Sequence, residues 1–200
     1  MKNSDSKSHW RAPLNHLLRD PPKYYATHSA YALECNPWTP RSDIEAALMF
    51  RGVIVSAFAN IETNIGFLSL RLSYHPECKD IRDSFPHGID KKISFIRNVF
   101  KQKSFTPYSN LANSFLNKFD KNLPIRHMAA HASMRVLSGS AEFHDFPKAT
   151  IPGVVDTRRN NIILTELEKI AWQSAKLSRV GYRLLSKLEA TGLLPIIPER

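Results

Sequence analysis

Cysteine, glycine and long apolar runs are all scarce in this chain of 200 residues. Its two cysteines, Cys35 and Cys78, have neither CxxC spacing nor the density of a secreted disulfide scaffold, so we expect free thiols in a reducing compartment. The amino terminus MKNSDSKSHW lacks an apolar signal segment, and the best apolar run, GVIVSAFA, is far shorter than the ~20 residues that cross a bilayer. These absences predict a soluble, cytoplasmic protein with no membrane partner.

Several common catalytic motifs are absent as well. The sequence contains no glycine-rich phosphate loop, no GxSxG, no DxD or paired carboxylates suited to two metal ions, and no CxxC pair. We therefore expect neither a metal nor a cofactor. If the protein is an enzyme, histidine and arginine must carry out its chemistry.

Positive charge predominates, with 28 Lys and Arg against 18 Asp and Glu and a formal net charge of +10. Such a charge attracts polyanions, which favours RNA, DNA or an anionic membrane as a partner. Many small basic proteins bind no nucleic acid, so the charge alone leaves both interpretations open.

The chain is expected to form one domain with an irregular arm. Residues 1–40 are rich in proline, with basic and aromatic residues interleaved, and they form the predicted arm. This arm either stacks bases and contacts phosphates or packs on its own domain or a partner subunit. Residues 41–192 form the predicted helical domain, and 193–200 are a tail.

A long helix is predicted after Ser42, because SDIE has the form of a capping box with Glu45 returning the hydrogen bond. Apolar residues then recur at spacings of three and four over about 30 residues. They are Ala47, Phe50, Ile54, Ala57, Ile61, Ile65, Leu68 and Leu72. Glu62, Asn60 and Asn64 lie near the middle of this helix on an unusually uncharged stretch. They are either solvated or hydrogen-bonded to a site.

The remaining chain predicts further helices and one irregular insert. Asp90 is a candidate cap for a second helix, a short helix follows Pro107, and another begins at Pro124 and runs past Met134. Residues 136–161 are a loop that holds a small hairpin, and a second capping box, TELE, opens the last helix. The predicted fold is all-α, a bundle of about four to five helices with a small irregular or β-hairpin insert before the C-terminal helix.

The stretch LPIRHMAAHASMRVL places one arginine and two histidines in an otherwise apolar predicted helix. Arg126 and His131 have R-x4-H spacing, which also occurs at Arg11 with His16 and at residues 82–87. Those two pairs fall in the arm and in a turn. Cationic or titratable side chains in a buried helix are costly unless something uses or satisfies them, so only the third pair predicts a site.

These residues resemble the motif of the HEPN superfamily, the higher eukaryote and prokaryote nucleotide-binding domains. In these all-helical proteins R-x(4–6)-H, often with Asn, Asp or His after the Arg, marks a metal-independent ribonuclease site, and IRHMAAHA fits it at Arg126, His127 and His131. The order of elements is also similar over residues 42–190. The resemblance implies an endoribonuclease, a homodimer with a composite cleft, and a role as a toxin or in antiviral defence with an antitoxin or regulatory protein as partner.

The residue types suit RNA cleavage without a metal. An unperturbed imidazole titrates near ~6.5, so His131 can transfer the protons of the 2′-hydroxyl and the leaving 5′-oxygen. Arg126 stays charged and can bind two phosphate oxygens, while His127 orients the others or contacts phosphate. Residues five apart on a helix point about 140° apart, so we expect two copies of the helix to complete the site.

Three other interpretations compete with this one. In the first, Arg126 and the two histidines are a polar edge of a bundle helix whose hydrogen bonds are made within the protein. In the second, His127 and His131 bind a metal through their H-x3-H spacing, although no third ligand and no HExxH glutamate are evident. The chain is otherwise a non-catalytic basic dimer that binds RNA or a protein.

Overall fold

The computed structural model describes residues 33–35, 39–81, 86–145 and 158–197. These ranges contain four α-helices and four β-strands, numbered here in chain order. The helices are α1 (Arg41–Ser73), α2 (Ile89–Val99), α3 (Thr106–His131) and α4 (Leu164–Ala190). The strands are β1 (Leu33–Cys35), β2 (Ser133–Leu137), β3 (Ser140–Asp145) and β4 (Arg158–Ile163), and two 3-10 helices cover Pro76–Ile81 and Lys103–Phe105. The predicted helical fold with a β-hairpin insert before the last helix is confirmed. Most of the arm lies outside the described residues.

The chain divides into two compact units, each built from two stretches. The sheet unit comprises the described residues up to 50 together with 130–168, and the helical unit comprises 51–129 together with 169–197.

The sheet unit contains four strands in the order β1-β2-β3-β4. The two outer pairings differ: β1 is parallel to β2, with Leu33 opposite Met134, and β2, β3 and β4 are antiparallel. Met134 and Val136 are buried while Arg135 between them is exposed, the alternation of a half-buried strand. Gly139 turns the chain between β2 and β3 with a φ of 72°, a conformation that favours glycine.

The helical unit has an apolar core between residues of α1, α2, α3 and α4. The stripe predicted on α1 is buried from Ile54 to Leu72, with Ile61 and Ile65 fully inaccessible. Phe58 of α1 and Phe119 of α3 pack with their ring centroids 6.1 Å apart. Side chains of this kind each stabilise the fold by about 1.5–3 kcal/mol through burial. The predicted helix is therefore confirmed, and its apolar stripe is buried except at Phe50, which is half-buried.

Two helices predicted separately form one continuous helix in the structure. The helices expected after Pro107 and after Pro124 form the single helix α3, which contains Pro124 in its interior. Proline has no N–H, so the carbonyl of Asp120 four residues earlier lacks its usual helical partner. The expected extension past Met134 is wrong: α3 ends at His131, and SMRVL pairs with β3 as a strand.

The predicted capping interactions are also wrong. Helix α1 begins at Arg41, and Glu45 accepts a 2.8 Å hydrogen bond from Arg41 rather than returning one to Ser42. Helix α4 begins at Leu164, before the threonine of TELE, and the Leu164 amide donates to the carbonyl of Gly139 at 3.0 Å. Helix α2 is capped by Gly88 without a side-chain hydrogen bond, rather than by Asp90.

Helix α1 has the length and composition of a membrane-spanning segment. Its most apolar 18-residue window has a mean hydropathy of 1.5, and 33% of that window is buried inside the protein. Core helices of soluble proteins pass the same test, so the helix alone is weak evidence for a membrane. The run GVIVSAFA understated its apolar length, because uncharged residues, interrupted only by Glu62, continue the stretch from Asn60 to Leu70.

Candidate functional site on the third helix

The three motif residues lie in the last two turns of α3. Arg126 and His127 precede the buried Met128 and Ala129, and His131 is the final helical residue. The side chain of Arg126 is 34% exposed, whereas both histidines are exposed. Met128 and Ala129 therefore anchor this part of α3 in the core, while Arg126, His127 and His131 lie towards the protein surface.

Arg126 forms an ion pair with Glu62 of α1. Its Nε donates to Glu62 Oε1 at 2.9 Å, and the two side chains are 34% and 33% exposed. An ion pair that is one-third exposed contributes little to stability, but it fixes where the guanidinium lies. Of the auxiliary residues predicted from the sequence, Glu62 is the one that the structure brings to Arg126.

The two asparagines of the same prediction lie elsewhere. Asn60 is exposed. Asn64 is 3% exposed, and its Nδ2 is among the buried polar atoms without a hydrogen bond in the described part of the chain. Its Nδ2 is 3.2 Å from the point where a Cβ on Gly181 of α4 would lie. Asn64 therefore contacts α4 rather than the motif.

Arg51, which the sequence analysis did not select, contacts the same end of α3. Its Nε donates to the carbonyl of Ala129 at 2.8 Å, and its burial lowers its pKa. The bond satisfies a carbonyl in the last turn of α3, where helical partners run out. A sequence signal existed, because Arg51 and Glu62 are the two charges between residues 46 and 70 of α1.

Arg51 and Glu62 share one side of α1. Their separation of eleven residues is close to three helical turns, which places them one above the other at about 16 Å. Together they contact Arg126 and Ala129 of α3. Helix α1 therefore fixes the position of α3 around Arg126 through one charged edge.

An exposed face without charge borders this edge on α1. Its members fall within about 160° of the helix surface at 100° per residue. They are Gly52, Val53, Val55, Ser56, Ala59, Asn60, Thr63 and Phe67, and each is exposed. Phe67 is 54% exposed and Val55 39%. We call this set the uncharged face; its larger apolar members are Val53, Val55 and Phe67.

The histidines share a side of α3 while Arg126 points away from them. Four residues separate His127 from His131, which is close to one turn, whereas Arg126 and His131 are about 140° apart around the helix axis. Because all these residues belong to one regular helix, the helix geometry assumed from the sequence applies. Arg126 and His131 therefore point to different sides of α3.

Basic residues suit the C-terminal end of a helix, where the macrodipole is negative. His131 lies at this end, and Arg126 lies about one turn before it.

Among the described residues, no group of three or more His, Cys, Asp or Glu side chains is arranged to hold a metal ion. Searches of protein-family models, of curated proteins and of solved structures give no match to this chain.

Proposed function

We propose that this protein is a metal-independent endoribonuclease of HEPN type that acts as a homodimer. The proposal depends on the motif residues Arg126, His127 and His131, and the observation that carries it is the fixed position of Arg126. A guanidinium is suited to binding a phosphate, and this one is held by Glu62 on a partly exposed helix surface with two exposed histidines in the same two turns.

Arg126 would bind the non-bridging oxygens of the scissile phosphate, because a guanidinium can donate to two oxygens at once. His131 would take the proton of the 2′-hydroxyl or supply one to the leaving 5′-oxygen, and the products would carry a 2′,3′-cyclic phosphate. His127 would orient the other groups or contact phosphate. A positioned acid or base contributes about 10²–10⁴-fold, and a positioned cation on a developing charge about 10²–10³-fold.

The uncharged face of α1 supports the dimer. Gly52, Ser56, Ala59 and Thr63 give it a centre of small residues, with the larger Val53 and Phe67 beside them. A second copy of α1 can approach such a surface closely and without burying charge. Because Glu62 lies at one edge of the face, a partner docked there would bring its own α3 into the neighbourhood of Arg126.

In the cell the proposed enzyme would be cytoplasmic and would act as a toxin or a defence effector, with an antitoxin or regulatory protein as partner. The net charge of +10 supports binding of RNA without choosing a sequence. The second candidate function is a non-catalytic dimer that binds RNA or a protein. The same charge and the same uncharged face would also suit a non-catalytic dimer. Only substitutions of the motif residues therefore distinguish it from a ribonuclease.

The test is cleavage of RNA by purified protein in excess EDTA. Wild type is compared with Arg126→Ala and His131→Ala, each checked for folding by circular dichroism. We expect wild type alone to cleave and each variant to lose at least about 100-fold. Arg179→Ala is a matched control, since Arg179 is an exposed arginine on α4 outside the motif.

The other outcomes point elsewhere. Equal cleavage by all four proteins would mean a contaminant or a different site. RNA binding without cleavage by any of them, together with a growth effect that survives both motif substitutions, would favour the non-catalytic dimer.

A further inference from the structure

A cavity of about 420 Å³ lies in the helical unit between α3 and α4, with Phe58 of α1 at its base. The volume falls in the range of small-molecule sites, about 300–1,000 Å³. Its lining residues lie on one face of each helix. They are Phe58, Lys118, Lys121, Asn122, Gln173, Ser174, Lys176, Leu177 and Val180.

The inner part of the cavity is apolar. Phe58 is 1% exposed and Leu177 6% exposed, and Val180 lies one turn further along α4. Two polar groups of the lining are engaged with their own helices: Ser174 Oγ donates to the carbonyl of Ile170 at 2.9 Å, and Asn122 Nδ2 donates to the carbonyl of Lys118 at 2.7 Å. Gln173 is exposed at the surface. A ligand would therefore meet mostly carbon in this region.

The outer part of the cavity is positively charged. Lys118, Lys121 and Lys176 are all exposed, and the lining that the structure describes contains no acidic residue. The ion pairs of the described residues join other groups, such as Arg97 with Asp120, and none includes these three lysines. Three ammonium groups around one opening repel one another and attract an anion.

We propose that this cavity binds a small amphipathic anion, with an acyl or aryl group against Phe58 and Leu177 and one carboxylate or phosphate between the lysines. Both halves of the ligand follow from the lining. The apolar body removes carbon surface from water, and the charged head satisfies the lysine cluster. A polyanion such as RNA fits this cavity less well, because its backbone would leave the apolar part of the cavity unfilled.

This site is distinct from the ribonuclease proposal and does not depend on it. Lys118, Lys121 and Asn122 share α3 with Arg126 but belong to earlier turns of the helix, on the other side of Pro124. Ligand binding should therefore persist in Arg126→Ala, and cleavage of RNA need not change in variants of the cavity. The two proposals can fail separately.

The experiment is a fluorescence titration of the full chain with 1-anilinonaphthalene-8-sulfonate, an aryl anion, followed by competition. Competitors are decanoate, decyl phosphate, decanol as the uncharged counterpart, and inorganic phosphate. Decanoate and decyl phosphate distinguish a carboxylate from a phosphate head. We expect at least one of them to displace the probe about tenfold better than decanol or phosphate alone.

Three variants locate the binding. Lys118→Glu with Lys121→Glu reverses charge at the opening, and Val180→Trp fills the apolar part. Lys187→Glu is the control, because Lys187 is an exposed lysine of α4 outside the cavity. Circular dichroism and thermal unfolding establish that each variant is folded before titration.

We expect the first two variants to weaken binding at least about tenfold and the control to match wild type. The proposal is overturned if wild type shows no saturable binding, if decanol competes as well as the anions, or if inorganic phosphate alone competes equally. It is also overturned if Lys118→Glu with Lys121→Glu loses RNA binding but still binds the fluorescent probe as wild type does. The lysines would then be a surface that contacts RNA phosphates.

Discussion

Glu62 and Arg126 are 64 residues apart in sequence, and their side chains meet at 2.9 Å between α1 and α3. The carboxylate accepts from Nε, which orients the plane of the guanidinium. Glu62, an auxiliary residue predicted from the sequence of α1, is thus a partner of the motif arginine.

Loss of the Glu62 carboxylate should impair cleavage without unfolding the protein. We expect Glu62→Gln to reduce cleavage of RNA by about 10- to 100-fold, because a guanidinium displaced by about 1 Å binds the transition state poorly. The double variant with Arg126→Ala should be no slower than Arg126→Ala alone, since Glu62 acts through Arg126. Single-turnover rates in EDTA measure both effects.

The control for that substitution is Glu45→Gln, which removes the ion pair with Arg41 elsewhere on α1. It should cleave like wild type. If Glu62→Gln also cleaves like wild type, or if its effect adds fully to that of Arg126→Ala, Glu62 does not position the arginine.

A charge on the uncharged face should prevent dimerisation. We expect Ala59→Glu to be a monomer and to lose cleavage, because burying an unpaired carboxylate between two helices is costly. Sedimentation velocity gives the oligomeric state of the protein used in the cleavage assay. Ser186→Glu, a substitution at an exposed position of α4, should remain a dimer. A monomeric Ala59→Glu that cleaves at the wild-type rate would refute the composite site.

Cys78 should make the stability of the protein depend on alkaline pH. Burial, with a smaller effect of the neighbouring Glu77 carboxylate, raises the pKa of this thiol from 9.0 to about 11. The raised pKa means that the stabilisation is complete below pH 9 and is lost as the pH approaches 11, because only the unfolded thiol ionises in that window. The loss is at most about 1.4 kcal/mol per pH unit.

Urea unfolding at several pH values between 8 and 11 measures this loss, with Cys78→Ala as the reference because other groups also titrate there. The difference in free energy of unfolding between wild type and Cys78→Ala should shrink as the pH rises. A difference that stays constant would mean that the thiol ionises equally in both states.

Two helical glycines should respond in opposite ways to alanine. A Cβ at Gly181 would lie 3.0 Å from Phe115 Cζ, so Gly181→Ala should destabilise the protein by about 1–3 kcal/mol despite its better helix propensity. A Cβ at Gly66 meets only Lys92 Nζ at 3.9 Å, so Gly66→Ala should stabilise by about 0.5–1 kcal/mol. Thermal unfolding of both variants measures the contrast; equal changes would mean that Phe115 moves aside without cost.

The sequence predicts the long helices well because their burial repeats every three or four residues. The stripe from Ile54 to Leu72 and the buried Leu177, Leu184 and Leu188 follow that pattern. The ends of helices were predicted less well. Caps depended on contacts made by distant residues, as with Leu164 and Gly139, and a pattern of neighbours along the chain contains no such information.

The candidate site shows the same division. Arg126, His127 and His131 could be selected from one stretch, because motif and predicted helix coincide there. Arg51 was not selected, although it is one of only two charges between residues 46 and 70, because its role depends on packing α1 beside the end of α3. The strand at 133–137 was missed because SMRVL lacks helix breakers and reveals itself only through its pairing with β3.

Pro124 gives α3 unequal resistance to local opening along its length. The turns that contain Arg126 and Ala129 are joined to the preceding turns by one hydrogen bond fewer than in an uninterrupted helix, because Pro124 has no N–H. Amide hydrogens in these later turns should therefore exchange with solvent sooner than those near Phe115. What restrains them is α1, through Arg51 and Glu62, so any event that shifts α1 would be transmitted directly to the turn that carries Arg126.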